Sequence, residues 1–398
     1  MPSVCLYLHA HQPVRLRRFS VFDVGSNSLY FDENRNKTYL DRIVHKSYLP
    51  TNKILLDLIR GTKGKFRVSF SITGTLLEQL EHHYPQVVES FRQLVRTGCV
   101  ELISETYYHS LAYLYSKEEF IEQVNLHRKK FKDLFDYQPL VFRNTELTFN
   151  NDLAKTVQDI GYEGILAEGA DHILGWRSPN FLYTAKGAQK IKLLLRNYRL
   201  SDDIAFRFSN RDWSEWPLTT EKFARWVNQV NGGGEVVNLF MDYETFGEHQ
   251  WEASGIFEFL KQFPYKILEN PDNNFKTPSE VVKLYKPVGE LDFPNIVSWA
   301  DTERDLSAWL GNTMQRSAIE KLYSLEKAVR ENSNLTIYND WRKLQTADHF
   351  YYMCTKWFAD GDVHKYFNPY DSPYDAFINF MNIFNDLKLR LNRSGTYV

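Results

Sequence analysis

Two carboxylates stand out by where they fall in the chain. Glu146, in VFRNTELTFNN, and Asp242, in NLFMDYETFGEHQ, each follow closely on a short apolar run. Driving such a run into an acid is costly unless the carboxylate is paired or hydrogen-bonded. Two carboxyl groups facing one site are what glycoside hydrolysis requires: one protonates the leaving oxygen while the other attacks or activates water. Their surroundings must then push the two pKa values apart. Arg143, three residues before Glu146, is placed to keep Glu146 ionised if its guanidinium turns toward the site. If Asp242 is the acid of the pair, partial burial and the charge of Glu146 would in turn keep it protonated. Each acid taken alone also reads as a helix cap or as half of an ion pair.

Other side chains could serve the same site. His9 and His11, in HAHQP, project to one side of a strand end. They read either as a metal pair, with Asp242 or His109 as further ligands, or as hydrogen-bond partners of sugar hydroxyls and of an ionised acid; core or capping histidines are a third reading. ELISETYYHSLA sets Glu105 and His109 four residues apart, the spacing of one helix face, although Ser104 could cap that helix over an ordinary core. VSWADTERDLSAWLGNTMQ brings Trp299, Asp301, Trp309 and Asn312 together, with Asp301-Thr302 followed by Glu303 also reading as a helix start. Glu244 and Glu248 lie beside Asp242, and Glu244 reads as a brace for the loop.

These residues need a scaffold that gathers them. Apolar runs bounded by turn signals predict strands at residues 4–8, 66–72, 100–103, 140–142, 164–167, 192–195 and 236–241. Apolar spacing of three to four predicts helices at 52–60, 76–98 with a break at Pro85, and 117–135. Strand then helix, repeated, argues for a parallel sheet with helices outside. Ligands on such a sheet sit at the carboxyl ends of the strands. Histidines and carboxylates follow the strands in turn: His9 and His11, then Glu105 and His109, then Glu146, then Glu168, Asp171 and His172, then Asp242 and Glu244. From residue 302 onward, three helical segments are predicted at 304–332, 338–358 and 373–393, with Gly361 and Pro369 marking the longest connection.

Composition excludes several partners. Forty-eight basic against 50 acidic residues leave a net charge of −2, which gives no electrostatic case for nucleic acid or an anionic membrane. No stretch approaches the roughly 20 apolar residues of a spanning helix. Cys5, Cys99 and Cys354 form neither a disulfide framework nor a metal motif, and the start MPSVCLYLHAHQP lacks a basic leader. The expectation is a cytoplasmic protein. Twenty-four Tyr and 9 Trp supply flat faces that suit sugars.

Five segments, in order, resemble the motifs of glycoside hydrolase family 57, in its α-amylase-like branch. They are His11-Gln12-Pro13; Gly98-Cys99-Val100-Glu101 running into Tyr107-Tyr108-His109; Phe142-Arg143-Asn144-Thr145-Glu146-Leu147; Met241-Asp242-Tyr243-Glu244-Thr245-Phe246-Gly247; and Trp299-Ala300-Asp301 through Trp309 to Gly311-Asn312. The resemblance implies an α/β fold, a seven-stranded (β/α) incomplete TIM-like barrel over residues 1–301. A C-terminal helical region over 302–398 packs on it and completes the cleft. It implies a retaining hydrolase of α-1,4-glucans or maltooligosaccharides, with Glu146 as nucleophile and Asp242 as general acid and base. His9, His11, Glu105, His109, Arg143, Trp299, Asp301 and Trp309 would line the substrate, with no metal and no cofactor. The Arg-Asn-Thr-Glu of the third motif departs from the Trp-Leu-x-Glu of the transferases and branching enzymes, which favours hydrolysis. The alternatives are a 4-α-glucanotransferase or branching enzyme on the same scaffold, a metal-dependent polysaccharide deacetylase on a related barrel, and a glucan-binding protein without turnover.

Overall fold

The computed structural model describes residues 2–356 and 368–395. Each predicted run forms a strand: β1 Ser3–Ala10, β2 Val68–Ile72, β3 Val100–Leu102, β4 Val141–Arg143, β5 Gly164–Glu168, β6 Ala188–Arg196 and β7 Val236–Asp242. Strands β1 to β5 are buried along almost their whole length. Burial on both faces explains why they read as continuous apolar runs rather than as alternation.

β7, β1, β2 and β3 form one parallel sheet, and β4, β5 and β6 a second. The ladder is interrupted where the sheets meet. At one seam Ser104 alone bridges to Phe142, donating to the Val141 carbonyl at 3.0 Å and accepting from Arg143 N–H at 2.8 Å. At the other, Asn197 N–H donates to the Asn238 carbonyl at 2.9 Å, and Asn238 Nδ2 returns a bond to the Leu195 carbonyl at 2.9 Å. The seven strands of the expected (β/α)7 arrangement are all present, in two sheets joined by these contacts and not closed into one ladder.

Strand periodicity decides what faces inward. Val4, Leu6 and Leu8 of β1 pack outward with the helices, while Cys5 and Tyr7 join the inner cluster. In β7, Val237, Leu239 and Met241 pack outward, and Val236 and Phe240 inward. The same parity carries His9 and Asp242 to the inner face at the carboxyl ends. Val141, Leu166 and Leu194 belong to the inner cluster too, so Arg143, Glu168 and Arg196, each two residues on, share that face. Ile103 does the same for Glu105.

Helices Leu49–Gly61, Gly74–His83, Pro85–Arg96 and Lys117–Phe135 surround the strands, with Pro85 starting its helix at the predicted break. After residue 302 the regular elements among the described residues are helices, but the first two predicted segments are divided. They become Ser307–Leu310, Thr313–Ser324, Glu326–Glu331, Leu335–Lys343 and Ala347–Tyr351, followed by Pro373–Arg393. Thr346, non-helical at φ −52° and ψ 126°, separates two of them. The parts of the reading that placed Phe358 in a helix and Gly361 in a connection lie outside the described residues. These helices share one apolar cluster with the second sheet: Ile319, Leu322, Phe380 and Ile383 pack with Phe142, Ile165 and Leu193. Beside it, Arg342 and Arg330 converge on buried Glu119 of Lys117–Phe135, at 2.9 and 3.1 Å.

Candidate active site

β4 ends at Arg143, and the chain turns sharply through Thr145–Leu147. Glu146 and Leu147 both take left-handed backbone, at φ 57° and 50°. Seven non-glycine residues do so in the described chain, and His109, Glu146, Leu147, Asp301 and Arg304 are five of them. Such conformations cost about 1–3 kcal/mol each at strained sites and persist only where surrounding structure enforces them. Here it does. Trp299 Nε1 donates to Glu146 Oε2 at 2.7 Å, Trp299 N–H to the Glu146 carbonyl at 3.3 Å, and His109 Nε2 to Glu146 Oε1 at 2.8 Å. Both carboxylate oxygens are thereby aimed.

His109 lies between two acids, with Nδ1 at 3.4 Å from Glu105 Oε2. Burial pulls its pKa down, but Glu105 and Glu146 push it up to about 9. It is an imidazolium at neutral pH, donating from both nitrogens. Burial also works against ionised Glu146, yet His109, Arg143 and the Trp299 indole hold the carboxyl below its usual range. Arg143 was expected to do this directly. It contributes after His109, pairing with Glu105 at 3.6 Å and lying 5.0 Å from the Trp299 ring.

Asp242 differs from expectation. Burial raises its pKa, but contact with His9 (Nδ1 to Oδ1, 3.5 Å) and the charges of His249 and Arg143 outweigh that, leaving it below the ordinary carboxylate value. The negative charge of Glu146, expected to keep Asp242 protonated, is met instead by His109. Asp242 is ionised in the free protein.

His9 joins the two acids' surroundings, 3.3 Å from Glu105 Oε2 and stacked on His109 at 5.0 Å. His11 stacks on His109 at 4.1 Å and 26°. Its Nδ1 meets Thr73 Oγ1 at 2.9 Å and its Nε2 meets Asp348 Oδ2 at 3.0 Å. Burial and the charge of His109 pull the His11 pKa down to about 4, so the ring is neutral at pH 7. Ionised Asp348 can only accept, which puts the single proton on Nε2 and leaves Nδ1 to accept from Thr73.

Accessibility separates the residues into two groups. Side chains of Asp242, Asp348, Glu146 and His11 are 41%, 22%, 21% and 10% exposed. Glu105, Arg143, His109, His9 and Trp309 are buried, behind the accessible ones. Asp301 is held by Lys356 at 3.3 Å, and Trp309 packs against Tyr351 with ring centroids 6.1 Å apart. Glu244 lies in the turn Tyr243–Thr245, buried, accepting from Tyr48 Oη and, at 3.4 Å, from Gln12 Nε2. Burial and the charge of Asp242 push its pKa up to about 7. Glu248 pairs with Arg42 at 2.8 Å. Both brace loops; on a continued strand Glu244 would share the face of Asp242, and it is the turn at Tyr243–Thr245 that carries it away.

Asp348, Lys356, His249 and Arg196 were not picked out in the sequence. Arg196 follows the predicted strand 192–195, so the strand-end rule would have found it; it pairs with Glu168 at 3.3 Å and lies 5.7 Å from the Trp299 ring.

Two groups have the residue types of a metal site: His9, Glu105 and His109, and His11, His109 and Asp348. They fit one poorly. Imidazole lone pairs lie in the ring plane, so stacked rings do not aim them at a common point. Both nitrogens of His109 and both of His11 are engaged by side-chain oxygens. The arrangement suits hydrogen bonding.

The His109 proton gives a testable pH effect. Its folded pKa of about 9 lies above the ordinary 6.5. The folded state therefore binds this proton more tightly, and the resulting stability is complete below about pH 6.5 and lost as pH rises through about 9. The thermal midpoint should fall across that window more steeply in the wild type than in His109→Asn. Parallel curves would show that no such proton is held.

A barrel whose strand ends present two accessible carboxylates, braced by buried histidines and an indole, has the layout of a barrel glycosidase. The chain belongs to glycosyl hydrolase family 57, whose pattern matches residues 5–294. The fifth motif and Asp348 lie beyond that stretch. The chain is 47% identical over 393 residues to a Methanocaldococcus jannaschii protein provisionally named an alpha-amylase, covering 95% of this chain and 82% of that one. Among solved structures, the fold is shared with 4-alpha-glucanotransferase from Thermococcus litoralis, at a TM-score of 0.69 and 18% identity over 88% of this chain and 56% of that one. It is shared also with an alpha-amylase from Thermotoga maritima, at a TM-score of 0.64 and 15% identity over 100% and 94%.

Proposed function

We propose that this glycosidase cleaves α-1,4-glucans with retention of configuration, through Glu146 as nucleophile and Asp242 as general acid and base. The observation that carries this reading is the contrast between the acids. Glu146 is ionised with both oxygens hydrogen-bonded, while Asp242 is the most accessible side chain of the site. Glu146 attacks the anomeric carbon as Asp242 protonates the departing oxygen. Asp242 then takes a proton from water, which releases the sugar from Glu146. For the first step Asp242 must gain a proton that it lacks in the free protein. A bound glucan strips water from it, which raises its pKa.

The relatives' names, alpha-amylase and 4-alpha-glucanotransferase, support an α-glucan. The helical region from residue 302 completes the cleft, bringing Asp348 to His11. No helix among the described residues is long and apolar enough to cross a membrane. The three cysteines are free and buried, which suits the reducing cytoplasm.

The test is incubation with one defined maltooligosaccharide, resolving products by size over time. Shorter sugars alone indicate hydrolysis. Longer sugars as well indicate glucanotransfer, in which a second glucan instead of water resolves the same intermediate. No products would end the α-glucan reading.

A further inference from the structure

Residues 346–356 form one wall of the site and are rigidly held. Ala347 N–H donates to the His109 carbonyl at 2.8 Å, Gln315 Nε2 to the Phe350 carbonyl at 3.0 Å, and Asn312 Nδ2 to the Met353 carbonyl at 2.8 Å. Asp348 is on the short helix Ala347–Tyr351, with one oxygen, Oδ2, fixed by His11. No described residue bonds to Oδ1, and the side chain keeps 22% of its surface accessible. The way from here to Glu146 is short: His11 stacks at 4.1 Å on His109, which bonds Glu146 at 2.8 Å.

An ionised carboxylate with one oxygen immobilised and the other open is a directed acceptor. Neutral His11 is a donor to it and is itself held by Thr73, so the carboxylate cannot swing away without breaking its bond to a fixed ring. A sugar hydroxyl is the donor such an oxygen takes, in a charge-assisted bond. We propose that Asp348 is a substrate-binding residue, its Oδ1 accepting from one hydroxyl of the glucose unit that reacts at Glu146. This rests on the α-glucan reading above.

The experiment is a cycle between Asp348→Asn and substrates lacking single hydroxyls. The probes are 4-nitrophenyl α-maltoside and its singly deoxygenated forms. Asn can still accept from His11, but it then offers an N–H where the carboxylate offered an acceptor. On the parent substrate, Asp348→Asn should lower kcat/KM by about 10- to 100-fold, the scale of a hydrogen bond to a charged group. Removing the contacted hydroxyl should cost the wild type a similar factor and cost Asp348→Asn almost nothing more. Losses that multiply for every deoxygenated substrate would overturn the inference, placing Asp348 behind His11 only. If the Asn variant unfolds early in a thermal melt, Asp348→Ser carries the same cycle. A wild type that neither cleaves nor binds any maltoside overturns the α-glucan reading and this inference together, whereas multiplying losses on an active wild type overturn this one alone.

Discussion

Glu146→Gln is expected to lower kcat on a maltooligosaccharide by on the order of 10⁴-fold or more, the scale of losing a covalent nucleophile. The amide fills the same space, and its oxygen can still accept from His109 or Trp299, so the fold should hold. What goes is the negative charge that attacks the anomeric carbon. A second readout follows from the same contact. Glu146 is one of the two acids that raise His109 toward 9, so the variant's His109 should titrate lower. Histidine resonances followed by NMR against pH would show it. A variant that keeps most of the wild-type rate would remove Glu146 from the role.

Asp242→Ala should separate the two steps of the reaction. Loss of a general acid costs about 10²- to 10⁴-fold on leaving groups that need a proton. A dinitrophenyl glycoside needs none, so its first step should survive while the second, lacking a base, stalls. The sugar should then accumulate on Glu146, visible as one added glycosyl mass on the intact protein. Azide, which attacks without being deprotonated, should restore turnover and give a glycosyl azide of the substrate's own anomeric configuration. An equal loss on every leaving group, with no covalent species, would count against Asp242. In the wild type, the apparent pKa of the acid should be higher in kcat than in kcat/KM, because only bound substrate relieves the ionised state that His9 and its neighbours impose.

The barrel was legible because its strands are buried on both faces, which leaves continuous apolar runs in the sequence. Period-two parity then carries His9, Glu105, Arg143 and Asp242 inward with their apolar neighbours. Some elements left little trace. Tyr183–Ala185 is a three-residue strand running antiparallel to β6, too short for a pattern. Glu33–Ile43 buries Asn36 along with Leu40 and Ile43, so its inward face is not uniformly apolar. Within the site, spacing showed which acids fall at strand ends, but not which cations would surround them. That is why Asp242 was expected to be protonated and is not. Nor does ADHFY mark Asp348 as different from any acid in the first turn of a helix, since its partner His11 lies 337 residues away.

That pairing of residues 337 positions apart has a consequence for synthesis. His9 and His11 are made before the two proposed catalytic acids, and all four precede residue 243. Asp348 and the wall that carries it follow about a hundred residues later, roughly 5–20 s at ordinary elongation rates. For that interval the nascent barrel holds its acids without the segment that fixes His11 and seats the fifth-motif loop. On the proposed role of Asp348, a chain released before that residue is made carries both carboxylates and an incomplete site.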